Sequence, residues 1–219
     1  MESSSQQRIW GPLFARLRKR RLYLEPWRRS LYIIVLAELF AIMGFSISSP
    51  FLAFFIQELG AQDLKQVAFW VGVITSGSSV AMALAAPVWG MLADRHGRKP
   101  MLLRALFGGG IVLGAVGLCT SVHQVVFLRI LQGALTGTIA AATTLVAASV
   151  LREQRAFSLG LLQMAVFAGS SLGPSIGGLV SGALGYRAAF LTTGLLLLCG
   201  GILVATLVRE QFAPSAYGR

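Results

Sequence analysis

Charged residues are scarce in this sequence. They form 12% of its 219 residues and only eight of them are acidic, whereas about a quarter of the residues of a soluble domain are charged. Apolar residues make up 55% of the chain, and the mean hydropathy is +0.72. The deficit of charge excludes an ordinary soluble domain and indicates an integral membrane protein.

Cysteine and histidine are equally rare, with two of each. Cys119 and Cys199 lie in apolar stretches, which favours packing thiols over a disulfide. His96 and His123 are too widely separated to suggest a ligand cluster, so we expect no metal site. No Gly-x-Ser-Gly nucleophile precedes a histidine in a later apolar run, which argues against an intramembrane serine protease. We therefore expect neither an enzyme nor a bound cofactor.

Long apolar runs, in contrast, fill most of the chain. About 20 apolar residues span a bilayer as a helix, strand alternation is absent, and open sheets cannot exist in lipid. We therefore predict an all-α membrane protein with six transmembrane helices, over residues 31–57, 67–93, 100–120, 123–151, 156–180 and 188–208. They leave a basic N-terminal segment at residues 1–30 and the start of a cytoplasmic linker at 209–219.

The basic residues are distributed unevenly between the two ends of these spans. The net charge of +11 suggests nucleic acid at first, but most basic residues fall at one end: Arg8, Arg16, Arg18, Lys19, Arg20, Arg21, Arg28, Arg29, Arg95, Arg98, Lys99, Arg104, Arg152, Arg155, Arg209 and Arg219. Lys65 and Arg187 fall at the other end, and Arg129 lies within a span. Because cytoplasmic loops are enriched in Lys and Arg, we predict a multi-pass protein of the cytoplasmic membrane with both chain ends in the cytoplasm, and no nucleic-acid partner. The N-terminal segment is also compatible with a stretch lying on anionic headgroups.

Two ionisable residues, Glu38 and Arg129, stand out within the predicted spans. Each is costly in lipid unless it is paired or faces water. Counting 1.5 Å per residue places Glu38 about 10 Å from the cytoplasmic face and Arg129 about 9 Å from the outer face, so we do not expect them to pair. Glu38 matches the depth of Gln163, and Arg129 matches that of Gly44, where a loosened first helix is expected to offer carbonyl acceptors. A permanently neutral acid and an arginine that joins two helices are the structural alternatives.

Polar residues occur in the first, second, fourth and fifth spans, whereas the third and sixth lack buried charge. We predict that the first group lines a cavity and that the third and sixth spans face lipid. Phenylalanines of the first span can hold an apolar or cationic guest there, although packing is the alternative. The candidates for proton or substrate binding are Glu38, Arg129, Gln132, Gln163 and Phe45.

The stretch GMLADRHGRKPMLLR, residues 90–104, concentrates charge between the second and third spans. Asp94 ends a helix, where the dipole disfavours an acid, so it needs a partner such as Arg98 or the N-terminus of a helix elsewhere. Gly90 removes a side chain where helices touch, and Gly97 suits the reversal. We predict that this loop makes a specific contact that changes with the conformation of the protein. The alternative is a loop that only fixes the topology. The residues predicted for the contact are Gly90, Asp94, Arg95, Gly97, Arg98 and Lys99.

Small residues recur at every fourth position of the fifth span, from Ala165 to Gly185. Such a ridge lets a neighbouring backbone approach closely, and a proline within it removes one helical hydrogen bond. The glycine-proline motif in this ridge comprises Gly169, Gly173, Pro174, Gly177 and Gly178. Packing is its physical cause in either interpretation, whether or not it also limits leakage.

Three of these stretches resemble motifs of the major facilitator superfamily. The charged loop resembles its signature between the second and third helices. RILQG, from Arg129 to Gly133, resembles the fourth-helix motif of proton-coupled members, with Leu135 in place of the next glycine, and GSSLGPSIGG resembles the fifth-helix motif of antiporters. The first helix differs, because Ala53 stands where the family has its last proline. The likeness covers about residues 28–214 and is to the MdtG-type multidrug efflux branch.

The resemblance implies twelve helices in two halves, of which this chain would be the N-terminal one, with Asp94 meeting the other half or a second chain. The stretches PVWGMLADRHGRKPML and PSIGGLVSGALGYRAAFL resemble each other and run in opposite directions, which predicts a three-plus-three inverted repeat. The resemblance also implies alternating access, with a lipophilic compound leaving the cell in exchange for protons and the proton gradient as energy source. Uptake of a sugar or other metabolite, and a half or fragment that does not transport alone, remain alternatives.

Overall fold

The protein is described by a computed structural model that covers residues 26–61 and 63–208. Most of the basic N-terminal segment predicted at residues 1–30 and all of the segment at 209–219 lie outside these described residues. The roles predicted for them, including contact with headgroups, stay predictions.

Within the described residues the secondary structure is entirely helical, as predicted. Six helical stretches are long and apolar enough to cross a membrane, and we call them the first to sixth spans: Trp27–Glu58, Leu64–His96, Arg98–Val116, Val122–Ser149, Arg152–Leu184 and Tyr186–Leu207. No end differs from its predicted position by more than four residues. The six-helix prediction is confirmed.

The first and fifth spans each include a short 3-10 turn. In the first, the α-helix Pro26–Ser48 passes through the turn Ser49–Phe51 into the α-helix Leu52–Glu58. Pro50 lies in that turn, where its fixed φ and missing amide hydrogen interrupt the α-helical pattern. In the fifth, the turn at residues 152–154 leads into the α-helix Arg155–Leu184.

The fourth span is broken near its middle. It consists of the helices Val122–Leu135 and Thr138–Ser149. Between them Thr136 is extended, with φ −87° and ψ −172°, and Gly137 has φ +124°. Glycine adopts positive φ without a steric penalty, so Gly137 allows the chain to turn here and resume a helix at Thr138.

The packing of the spans follows the predicted inverted repeat. The first span packs along the fifth, the second along the fourth, and the third against the sixth. Exchanging the first three spans for the last three converts this set of pairs into itself. The turns after the second and fifth spans are also equivalent, because Gly97 has φ 96° and ψ 164° and Gly185 has φ 84° and ψ 166°.

The apolar core consists of two clusters at opposite ends of the bundle. One includes Leu31, Leu102 and Leu145, near the turns that carry Arg95, Lys99 and Arg152, and we call this the basic end. The other includes Phe55, Val116 and Phe190 and marks the distal end. Along their spans, a set of buried polar residues lies between the two clusters: Arg129, Gln132, Thr136, Thr138 and Thr193.

The prediction that the third and sixth spans face lipid is wrong for one side of each. In both spans, 44% of an apolar stretch of 18 residues is buried, whereas the corresponding value for the second span is 11%. Glycines make this burial possible, since a Cβ placed on Gly194 would lie only 2.7 Å from the carbonyl oxygen of Gly110. The scarcity of charge in these two spans does not distinguish lipid from another helix, whereas small residues indicate close helix contact.

Candidate functional site

Glu38 of the first span is buried, with 1% of its surface exposed. The hydroxyl of Thr138 donates a hydrogen bond to its Oε1 at 3.1 Å, and its Oε2 is buried without a partner among the described residues. Thr138 is the first residue of the helix that follows the break in the fourth span. The break therefore determines where the donor to Glu38 lies, and one carboxyl oxygen is left to accept a proton or another ligand.

Arg129 of the fourth span is also buried, with 8% of its surface exposed. Its guanidinium carbon lies 5.8 Å from the centre of the Phe45 ring, and its Nε has no hydrogen-bond partner among the described residues. The structure brings Arg129 and Phe45 together, as a cation over an aromatic face. Arg129 and Glu38 form no ion pair, in agreement with the prediction.

The predicted carbonyl site for Arg129 at Gly44 is wrong. The first helix is continuous through Gly44, so its carbonyls are not released there. The Gly44 carbonyl instead accepts a hydrogen bond from the Thr193 hydroxyl of the sixth span, at 2.6 Å. The helix is disturbed only from Ser49 onward, where the proline acts.

Gln132 lies one turn from Arg129 and is buried. Its amide nitrogen donates to the hydroxyl of Thr136 at 2.9 Å, and that hydroxyl donates to the Gln132 carbonyl at 2.8 Å. The next residue, Gly133, lies directly against the backbone of Ser78, where a Cβ would overlap it. The second and fourth spans therefore touch through backbone at the level of the polar residues.

Gln163 does not join Glu38. The match in depth that we predicted brings no hydrogen bond between them, because Gln163 lies on the exposed face of the fifth span, while its neighbours Leu162 and Ala165 are buried. An exposed amide in a membrane span requires water or a further polar partner. Gln163 thus indicates that this face of the fifth span does not face lipid alone.

The charged loop agrees with the prediction in part. Asp94 is exposed and forms no ion pair or hydrogen bond with Arg98 or any other described residue. A Cβ on Gly90 would meet no atom within 4 Å, so the helix contact predicted there is absent from the described part of the chain. Gly97 makes the reversal with φ 96°, as predicted.

Lys99 has a role that the sequence did not indicate. Its Nζ donates to the carbonyls of Ala205 at 2.9 Å and Val208 at 2.7 Å. These carbonyls belong to the end of the sixth span, where unpaired acceptors and the negative end of the helix dipole favour a cation. Arg95, at the end of the second span, is exposed.

The glycine ridge of the fifth span packs against the first span, as predicted. A Cβ on Gly169 would lie 2.9 Å from the Met43 amide nitrogen, and Gly177 lies directly against the carbonyl of Ile47. Gly178 belongs to the opposite face, where a Cβ would meet no atom within 4 Å. Pro174 is exposed within a helix that remains continuous.

Sequence reasoning missed Arg104 as a residue of the spans. It lies six residues inside the third span, which is about 9 Å from its end, rather than in the loop. Its guanidinium carbon is 3.6 Å from the centre of the Trp89 ring, and its Nε and Nη1 are buried without a partner among the described residues. Counting residues from the turn at Gly97, instead of grouping basic residues by end, would have placed it correctly.

Comparison with known proteins gives consistent similarities. A sequence model of the Major Facilitator Superfamily matches residues 34–217. The multi-drug resistance efflux pump PmrA of Streptococcus pneumoniae is 36% identical over 190 residues, which are 87% of this chain and 47% of PmrA. The multidrug resistance protein MdtG of Yersinia enterocolitica is 38% identical over 188 residues, or 86% of this chain and 45% of MdtG. The chain spans about half the length of these curated relatives.

A solved structure has the same fold. The crystal structure of the human organic anion transporter MFSD10 (TETRAN) superposes with a TM-score of 0.74 at 21% identity, covering 86% of this chain and 49% of that one. At this identity the similarity concerns the fold alone.

Proposed function

Because the chain belongs to the Major Facilitator Superfamily, we propose that it is the N-terminal six-helix half of a multidrug efflux transporter that exchanges protons for lipophilic compounds by alternating access. The observation that carries this proposal is the buried carboxyl of Glu38, which has one hydrogen-bonded oxygen and one buried oxygen without a partner among the described residues. The names of PmrA and MdtG support multidrug efflux as the kind of transport.

Glu38 supplies the exchange through competition between two ligands. Its ionised carboxylate attracts a cationic compound, and one proton taken up by the same group neutralises it and weakens that attraction. A ligand shifts a conformational equilibrium only through its different affinity for the two states. Alternate occupation by a proton and a compound therefore links the entry of one to the exit of the other, without an organic cofactor.

Phe45 and Arg129 are the candidates for contact with the compound. The Phe45 ring offers an apolar face beside a buried cation, so the aromatic rings of a compound can stack there while the positive charge of the compound binds at Glu38. Gln132 is held by Thr136 and lies behind Arg129 on the same helix. These residues determine which compounds bind, whereas Glu38 determines the coupling to protons.

A second six-helix body completes the path across the membrane in this proposal. Its docking surface is the poorly buried second span together with the exposed face of the fifth. Asp94 and Gln163 support this surface, because both are exposed polar groups that form no bond to another described residue. The N-terminus of a helix in the second body suits Asp94. The excess of basic residues supports a cytoplasmic position for the basic end.

Proton release from everted membrane vesicles tests the proposed exchange. Vesicles are prepared from cells that express the protein from its own gene, and their interior is acidified. Ethidium is then added while a pH-sensitive dye reports the internal pH. We expect ethidium to drive protons out of wild-type vesicles and not out of vesicles with Glu38→Gln. Glu58→Gln is the matched control, because Glu58 lies in the same span but pairs with Arg187 at the distal end. Proton release in Glu38→Gln vesicles equal to that of the wild type contradicts the proposal, and movement of protons into the vesicles when a sugar is added favours sugar uptake by symport.

A further inference from the structure

The break in the fourth span leaves a backbone acceptor without its usual donor. In a continuous helix the carbonyl of Ala134 would accept from the amide of Thr138, four residues later. Because Thr136 is extended and Gly137 has positive φ, that bond does not form, and no other backbone amide of the described chain donates to this carbonyl. A buried carbonyl without a donor is costly in a membrane.

Trp89 of the second span provides the missing donor. Its indole Nε1 donates to the Ala134 carbonyl at 2.7 Å, which is a short hydrogen bond for a nitrogen donor. A face of the indole is covered by Arg104, whose guanidinium carbon lies 3.6 Å from the ring centre. The three spans are therefore joined at one side chain, next to the break.

The same break places the donor to Glu38. Thr138 begins the helix after Gly137 and its hydroxyl binds Glu38, so the segment from Ala134 to Thr138 connects the indole bond to the carboxyl bond. We propose that Trp89 is a positioning residue for Glu38: by holding the broken end of the fourth span it sets the position of Thr138 and hence the ionisation of the carboxyl. Its importance for transport rests on the proposed function, but the positioning itself does not.

Other contacts hold this end of the fourth span but do not replace the indole bond. Gly133 is fixed against Ser78, and Thr136 lies against Gly109, but neither contact supplies a donor to the Ala134 carbonyl, which only Trp89 does among the described residues. The charged side chains that lie inside the spans packed around the break, among the described residues, are Glu38, Arg104 and Arg129. Of these, Arg104 contacts the Trp89 indole, so it belongs to the same group of contacting side chains.

Chemical labelling of Glu38 tests the proposal without any transport. The purified chain is treated with a hydrophobic carbodiimide, which reacts with protonated carboxyls, and labelling of Glu38 is followed by mass spectrometry over a range of pH. A hydrogen bond donated to a carboxylate favours its ionised form. Trp89→Phe retains an aromatic ring but removes the N–H donor, so we expect labelling at a fixed pH to rise by about threefold, which corresponds to a displacement of the profile by about half a pH unit.

Two variants define the scale of this effect. Thr138→Val removes the direct bond to Glu38 and is expected to displace the profile in the same direction and at least as far, whereas Thr138→Ser retains it. Trp70→Phe is the matched control, because Trp70 lies in the same span but contacts Phe69 and His123 at the distal end. A Trp89→Phe profile that coincides with those of the wild type and Trp70→Phe overturns the proposal.

A measurement on the unaltered chain covers the case in which Trp89→Phe does not fold. The sequence contains four tryptophans, so nitrogen-15 labelling gives few indole signals, and the Trp89 signal is assigned with Arg104→Met, which changes its ring environment. Because coupling between two sites is reciprocal, we expect the Trp89 signal to shift with pH along the Glu38 labelling profile and to lose this shift in Glu38→Gln. If the pH dependence of the Trp89 signal is the same in Glu38→Gln as in the wild type, the positioning role is refuted. If Trp89→Phe changes the labelling of Glu38 but proton exchange continues, the positioning role stands without the proposed function. If Glu38 is required for proton exchange but Trp89→Phe does not change its labelling, the proposed function stands without the positioning role.

Discussion

Gly173 is the position where the packing of the first span on the fifth is most directly testable. A Cβ there would lie 2.8 Å from the Met43 carbonyl oxygen and 3.0 Å from the Ser46 carbonyl carbon. Both atoms belong to backbone, so no side-chain rotation relieves the overlap. Gly173→Ala therefore requires the two helices to separate.

The expected magnitude follows from two opposing effects. Overpacking of a close contact costs about 1–3 kcal/mol, while replacing a helical glycine by alanine stabilises the helix by about 1 kcal/mol. The net effect of Gly173→Ala is a loss of about 0–2 kcal/mol in the free energy of unfolding. Gly178→Ala, in the same motif, meets no atom within 4 Å and should stabilise the chain or leave it unchanged.

Cys119 provides the assay for this pair of variants. It is 4% exposed, so a thiol-reactive dye reaches it only when the bundle opens. In a Cys199→Ala background, heating in detergent micelles should give dye reaction at a lower temperature for Gly173→Ala than for Gly178→Ala. Equal transition temperatures, or a greater loss in Gly178→Ala, would refute the assignment of the two faces.

Three further outcomes are expected. In Gly137→Ala the new Cβ meets no atom, but alanine is placed at φ +124°, so thermal unfolding should show a loss of about 1–3 kcal/mol in the free energy of unfolding. Gly72→Ala, in open space within a helix, should show no loss. Equal stability of the two variants contradicts the break. The ion pair of Glu58 and Arg187 joins atoms 3.5 Å apart, and the two side chains are 45% and 41% exposed. A double-mutant cycle should therefore give a coupling energy below about 1 kcal/mol, and this energy should vanish in high salt. Asp94→Asn should leave the stability of the chain unchanged yet lower drug efflux in cells, and unimpaired efflux would argue against a partner for this acid.

The helices and the close contact of the first and fifth spans could be predicted because each depends on local composition. Apolar runs of the right length specify the spans, and small residues at every fourth position specify the ridge at Gly169, Gly173 and Gly177. Gly178 shows the limit of the motif, because the pattern includes it but its face of the helix points away from the first span.

The break in the fourth span could not be predicted, since an isolated glycine such as Gly137 is common within membrane helices and its backbone angle depends on the surrounding packing. The same packing determines the contacts of the site. Thr138 binds Glu38 only because the chain turns at Gly137, and Trp89 reaches Ala134 from a different span. Depth along a helix, which suggested Gln163 as a neighbour of Glu38, gives no information on the direction in which a side chain points.

Proton release on binding tests the central claim most directly. The protein, purified from the membranes of cells that produce it, is mixed with a lipophilic cation such as tetraphenylphosphonium in a weakly buffered solution, and the protons released are counted with a pH indicator. If one carboxyl holds either ligand, about one proton should appear for each cation bound to the wild type, and none for Glu38→Gln. Binding with no proton release in the wild type, or with the same release in Glu38→Gln, would contradict the exchange at Glu38.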